Sequence, residues 1–267
     1  MTVERTSPQP GVAMLRLTGA TASASFSRDS IPVIAKAIDE VLNDAEVQAL
    51  VITGEGRFFS AGADIDAFAA SIEAGEAPAL IRDLTGHLHP LLLRMRTSST
   101  ICVAAINGAA AGGGLGLALA CDARVASTDA RLAASYAGMG LSPDGGSTWL
   151  LPRLVGTQVA RRFFFDNTIW SAREAHEHGA VDYLVPAESL IDTAVGVAVA
   201  WSGWSEHVRE ATKHLLHVET DNDLATHLDH ERTLIEAAGT TQAFEEGVAA
   251  FLAVSYTHLT LPTTRHV

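Results

Sequence analysis

Residues 106–122 read INGAAAGGGLGLALACD, and the fold turns on how this stretch is read. It completes the longest apolar run of the chain, Ile101 to Cys121, which is rich in Ala and Gly and interrupted at Asn107. The interruption predicts a buried strand over 101–106, a flexible connection, and a buried helix from about Gly113 to Ala120, rather than a membrane span. Three consecutive glycines open that helix. A glycine inside a helix costs up to about 1 kcal/mol, so the run needs a reason. One is close packing of the helix. Another is an exposed helix N-terminus, where free N–H groups and the helix dipole favour developing negative charge. The dinucleotide pattern G-x-G-x-x-G fails at Leu117, and no Gly-Lys-Ser/Thr follows for a P-loop.

Outward from this segment, strands alternate with helices. Strands are predicted at Val12–Leu17, the first of the chain, and at Ala49–Thr53, with short extended pieces at Ala123–Ala126, Arg131–Ala134 and Val181–Val185. Helices are predicted at Asp29–Leu42, Ile65–Ile72, Ala79–Met95 and around Thr148–Leu154. Ser171 is a candidate N-cap for the helix of SAREAHEHG, which Gly179 closes. From Ala187 to Leu252 the pattern is almost entirely helical. This order predicts an α/β core with parallel strands over 1–190 and a helical region over 191–253. No internal repeat of 20–50 residues is visible.

Composition narrows the function classes. The chain has 267 residues, 48% of them hydrophobic, with mean hydropathy slightly positive, enough for one large core with a helical appendage. A formal net charge of −13 argues against nucleic acid or an anionic membrane surface as partner. The two cysteines, Cys102 and Cys121, sit in apolar stretches without metal-ligand spacing and read as reduced core residues of a cytoplasmic protein. Met1 to Pro10 has no apolar signal region. The tail VSYTHLTLPTTRHV, 254–267, breaks the helical pattern and holds no acidic residue. Its first ten residues are the translation of GTC TCT TAT ACA CAT CTG ACG CTG CCG ACG, a transposon-type sequencing adapter, and the tail is therefore expected to be an artefact of sequencing.

A second segment carries chemistry. In GEGRFFSAGADI, 54–65, a strand ends and the chain turns through Ser60, Ala61, Gly62 and Ala63, small residues that let a ligand approach the backbone closely. With INGAAAGGGLGLALACD, GLSPDGGSTWLLPRLVG (140–156) and SAREAHEHGAVDYLV (171–185), it resembles the enoyl-CoA hydratase/isomerase (crotonase) family in order and spacing over roughly half the chain. Two family segments are replaced. LTGATASASFSRDS stands where Asn-Arg-Pro is usual, and Ser99-Thr100 where Lys-Pro is usual.

The resemblance implies a spiral of ββα units with a helical C-terminal region, assembled as a homotrimer or as paired trimers. It implies that the backbone N–H groups of Ala61 and Gly113 form an oxyanion hole for the thioester oxygen of an acyl-CoA substrate, each donor worth roughly 3–4 kcal/mol. Ser60, Ala63, Asp64 and Ile65 would contact the CoA adenine, while Gly112, Gly116 and Tyr136 would border the acyl group. Coenzyme A would be part of the substrate, with no separate cofactor and no metal.

Family hydratases use two glutamates. Gly116 and Tyr136 stand at those positions, which disfavours ordinary hydration. Asp144 lies where family isomerases carry their catalytic acid and aryl-CoA dehalogenases their nucleophile. As Pro-Asp-Gly it is equally a turn or cap residue. The reading favoured by the oxyanion context is an isomerase with Asp144 as acid–base. Another family chemistry (hydration, hydrolysis, dehalogenation), a non-catalytic acyl-CoA binder and a structural protein remain open. His87 and His89 fall near the expected acyl pocket but read first as surface or lining histidines. Phe68 and Trp149 line the pocket or pack in the core, and Arg57 meets a CoA phosphate or solvent. Ser147 has no nucleophile-elbow context.

Overall fold

The computed structural model describes residues 2–18, 25–219 and 222–259, with side chains through Ala253. The strands are β1 (Thr2–Gln9), β2 (Val12–Thr18), β3 (Ser25–Phe26), β4 (Ala49–Gly54), β5 (Phe58–Ser60), β6 (Gly62–Ala63), β7 (Ile101–Ile106), β8 (Ala109–Ala111), β9 (Ala123–Ser127), β10 (Arg131–Ala133), β11 (Ile169–Ser171) and β12 (Tyr183–Val185). The helices are α1 (Ser30–Leu42), α2 (Ile65–Glu73), α3 (Ala77–Thr97), α4 (Gly113–Ala120), α5 (Ser147–Val155), α6 (Thr157–Phe165), α7 (Ala172–Glu177), α8 (Leu190–Ser202), α9 (Glu206–Val218), α10 (Leu224–Ala238) and α11 (Gln242–Leu259).

Two sheets grow in step. The larger has the order β1-β2-β4-β7-β9-β12, parallel from β2 onward, and the smaller has the order β11-β10-β8-β5. β4, β7 and β9 are each followed by a short strand of the second sheet, β5, β8 and β10, and then by helix. Each turn is thus a ββα unit stacked on the last, the spiral the sequence resemblance implies. The central strands β4, β7 and β9 are buried on both faces, as parallel strands must be when helices cover each side. Leu50 and Ile52 of β4, with Cys102, Ala104 and Ile106 of β7, face the main core, while Ala49, Val51, Ile101, Val103 and Ala105 face the opposite way.

That opposite face is covered by α8, through Leu190, Ala194, Val197 and Ala198. The first compact unit therefore extends to Gly203, beyond the boundary expected at 190, because α8 is a layer of the core. The second unit, from Trp204, holds α9 and α10, capped by the Ser205 hydroxyl and the Asp223 carboxylate, and α11. α11 continues to Leu259, so the helical pattern does not stop at Ala253 as the sequence suggested; residues 260–267 of the tail lie outside the described residues. Val12–Thr18 is the second strand, not the first. β1 precedes it as an exposed antiparallel edge, with Pro8 inside the register shift between Thr6 and Gln9. Cys102 and Cys121 are free and fully buried.

Asn107 ends β7 and ties the two sheets together. Its Oδ1 accepts from Gly54 N–H at 2.8 Å, and its Nδ2 donates to the Gly56 and Phe58 carbonyls at 3.0 and 3.1 Å. The loop that leads into β5 is thereby held from the end of the neighbouring strand.

Candidate active site

The turn between β5 and β6 meets the start of α4 at backbone contact. A Cβ at Gly62 would lie 2.6 Å from the Ala111 carbonyl oxygen and 3.1 Å from the Gly113 nitrogen, and one at Gly114 would lie 2.4 Å from the Ser60 carbonyl oxygen. Any larger residue would push the two segments apart. Gly112 has φ +52 and ψ −125, open only to glycine, and this bend aims the first turn of α4. Gly113 is the first helical residue, so its N–H has no intrahelical acceptor. Ala61 lies between β5 and β6. Among the described residues neither N–H donates to a protein acceptor. The glycine run thus serves both purposes weighed from the sequence, close packing and an open N-terminus.

Both residues border a cavity of about 220 Å³. Gly112, Ala63, Ile65, Tyr136 and Asp144 line it with them, and Phe68, Leu84 and Leu88 supply apolar wall. Among the lining residues Asp144 is the only carboxylate. It sits in the irregular segment before α5, where Gly145 and Gly146 both take positive φ. Its main chain is held by Ser147, whose N–H and hydroxyl donate to the Asp144 carbonyl at 3.1 and 2.8 Å. Its carboxylate is hydrogen-bonded at one oxygen and has a histidine beside the other. The Tyr136 hydroxyl donates to Oδ1 at 2.8 Å, and His89 Nε2 stands 3.6 Å from Oδ2. Burial, then the Asp144 charge and that hydrogen bond, push the Tyr136 phenol far above its usual range. Tyr136 therefore remains a neutral donor throughout the working pH range.

Three predicted contact residues do not reach the cavity. Ser60 is fully buried, and its hydroxyl accepts from Gly62 N–H at 3.3 Å. Asp64 caps α2 by accepting from Asp66 and Ala67 N–H, and it also accepts from the Ser25 hydroxyl. Gly116 is buried against the Asp144 segment, where a Cβ would lie 2.3 Å from the Gly145 carbonyl oxygen. The place of a hydratase glutamate is thus filled by backbone. Trp149 lies outside the cavity, stacked under the Arg153 guanidinium at 3.5 Å, and the Arg57 guanidinium lies 5.3 Å over the Phe58 ring. Sequence reasoning missed Leu84 and Leu88, although their spacing on α3 marks one helical face. It could not find Gly145, whose part is set by its neighbour in space.

The sequence profile of the family described as enoyl-CoA hydratase/isomerase matches residues 7–257. The 1,2-epoxyphenylacetyl-CoA isomerase of Escherichia coli K12 is 33% identical over 245 residues, covering 92% of this chain and 93% of that protein. The crystal structure of an enoyl-CoA hydratase from Polaromonas sp. JS666 superposes with a TM-score of 0.87 at 30% identity, covering 94% of this chain and 96% of that one. An enoyl-CoA hydratase from Bacillus anthracis superposes equally well, with a TM-score of 0.87 at 27% identity over 95% and 96% of the two chains. Among the described residues no helix is long and apolar enough to cross a membrane.

Proposed function

Because the chain belongs to the enoyl-CoA hydratase/isomerase family, we propose that it is an isomerase that shifts a double bond in an enoyl-CoA thioester, with Asp144 as its acid–base group. The thioester oxygen accepts from Ala61 and Gly113 N–H. Asp144 removes a proton from the carbon next to the thioester of a 3-enoyl substrate. The dienolate charge is carried by the two donors, and Asp144 returns the proton two carbons further along to give the conjugated 2-enoyl product. One carboxylate suffices for both transfers, and coenzyme A arrives as part of the substrate.

The observation that carries this reading is that Asp144 is the one carboxylate lining the cavity that also holds Ala61 and Gly113. The Gly145 backbone against Gly116 supports it, since a second carboxylate for positioning water has no room there. The cavity, about 220 Å³, is somewhat larger than the roughly 150 Å³ that accommodates a benzene ring, which suits a ring-bearing or short-chain acyl group.

The test is a panel of saturated, 2-enoyl, 3-enoyl and aryl CoA thioesters with products identified by mass spectrometry. Conversion of 3-enoyl to 2-enoyl thioesters is expected, with Asp144→Asn lowering kcat by about 10²–10⁴-fold. Full activity in Asp144→Asn refutes the assignment. Hydration or dehalogenation products identify a different chemistry of the family. No turnover, together with thermal stabilisation by CoA esters, identifies a binder.

A further inference from the structure

We propose that His89 is a proton-exchange residue: it connects the Asp144 carboxylate to solvent, so that the proton taken from substrate is traded with water before it is returned. This inference rests on Asp144 as the acid–base group and concerns the fate of its proton. His89 projects from α3 and does not line the cavity, so it acts through Asp144 rather than on substrate. Its Nε2 is 3.6 Å from Asp144 Oδ2 and accepts the Gly145 N–H at 3.4 Å, which makes Nε2 the unprotonated ring nitrogen in this arrangement. Among the described residues Asp144 is the only carboxylate within 4.0 Å of this ring.

The two carboxylate oxygens face different surroundings. Oδ1 meets the Tyr136 hydroxyl, on a side chain only 6% exposed, whereas the His89 side chain beside Oδ2 is 50% exposed. The Asp144 side chain is itself 34% exposed, and the half-exposed His89 ring beside Oδ2 offers a way to water that does not cross the acyl cavity. The steps balance as proton transfers. Abstraction leaves neutral Asp144 and the dienolate. Asp144 gives its proton to Nε2, an imidazole being a stronger base than a carboxylate, and an imidazolium–carboxylate pair results. The imidazolium exchanges with water, the pair collapses back to neutral His89 and protonated Asp144, and Asp144 protonates the distal carbon.

The experiment is isomerisation of unlabelled trans-3-hexenoyl-CoA in D2O, with deuterium per product molecule read by mass spectrometry for the wild-type protein, His89→Gln, His89→Leu and Asp144→Asn. Label per product is independent of rate, so a variant that is merely slower does not imitate the effect. Glutamine retains an acceptor for Gly145 N–H but cannot carry a proton. The wild-type product is expected to carry mostly solvent deuterium at the distal carbon, and the product of both His89 variants several-fold less. Equal labelling by the wild type and His89→Gln overturns the proposal while leaving an inactive Asp144→Asn, and hence the proposed function, intact. An active Asp144→Asn overturns the assignment of Asp144 and this inference with it. A wild-type product without solvent label overturns the inference alone. Failure of the wild type to isomerise this or any other 3-enoyl thioester of the panel overturns both.

Discussion

Gly116→Ala is the substitution whose outcome depends most on the geometry of the site. In an isolated helix, Gly to Ala gains about 1 kcal/mol. At Gly116 the new Cβ would lie 2.3 Å from the Gly145 carbonyl oxygen and 3.0 and 3.1 Å from its carbonyl carbon and Cα. Carbon–oxygen contacts of this kind settle at about 3.3–3.6 Å, so one backbone must retreat by about 1 Å. Overpacking of this sort costs about 1–3 kcal/mol, and an obstacle made of backbone belongs at the upper end. The net expectation is a loss of about 2 kcal/mol, or a Tm lower by roughly 4–8 °C. The control is Gly196→Ala in the middle of α8, where nothing lies within 4 Å of the new Cβ. It is expected to raise Tm by roughly 2–4 °C. Calorimetry and urea unfolding read both variants. Because Gly145 follows Asp144 directly, the retreat also displaces the carboxylate, and a shift of about 1 Å can cost about 10²-fold in rate. If Gly116→Ala is stabilised as much as Gly196→Ala, the packing of α4 against the Asp144 segment is refuted.

Two further outcomes are expected. The phenol of Tyr136 is pushed above its usual range, so as pH rises past about 10 the unfolded chain releases this proton while the folded protein keeps it, and stability falls. By pH 11 the wild type should lose about 1.4 kcal/mol that Tyr136→Phe does not lose, measured by urea unfolding of both from pH 8 to 11; parallel profiles would contradict the burial of a neutral phenol. Asp182 Oδ2 accepts from the buried Arg124 guanidinium at 2.8 Å and from Arg124 N–H at 2.7 Å, joining β9 to the residue before β12. Asp182→Ala strands that cation, and a destabilisation of about 3 kcal/mol is expected; a loss below about 1 kcal/mol refutes the role given to the pair.

What was legible in the sequence depended on whether a local signal existed. β4, β7 and α4 announce themselves as apolar runs bounded by Gly and Asn, and all three were expected close to their observed bounds. β1 is polar, exposed and interrupted by Pro8, since an edge strand needs only one partner, and no pattern marks it. β5, β6 and β8 are two or three residues long, too short for period-2 alternation to register. α8 reads as one more helix of the C-terminal region, and its place in the core follows from the second apolar face of the large sheet, which only the parallel arrangement creates. At the site, the two runs of small residues were legible, and the family resemblance singled out Ala61 and Gly113 within them, which the structure places on the border of one cavity. The inward turn of Ser60 was not legible, because it depends on the positive φ of Gly62. The pairing of His89 with Asp144 joins α3 to a distant loop, and no local pattern records such a contact.

Asn107 carries a liability of another kind. It is followed by Gly108, the dipeptide in which the glycine nitrogen most readily attacks the side-chain amide, expelling ammonia to form a cyclic imide that water then opens to aspartate or isoaspartate. In the folded protein the amide group is held on both sides, and Gly108 is wedged so tightly that a Cβ there would lie 2.2 Å from the Arg57 carbonyl oxygen, so the ring closure that starts deamidation is obstructed. In the unfolded chain nothing obstructs it. A chain altered there meets the Gly56 and Phe58 carbonyls with an anionic oxygen in place of an N–H donor, and the loop leading to Ala61 loses its anchor. Deamidation at Asn107 is therefore expected to run more slowly in the folded protein than in the unfolded chain, so that its extent rises with the time a molecule has spent open.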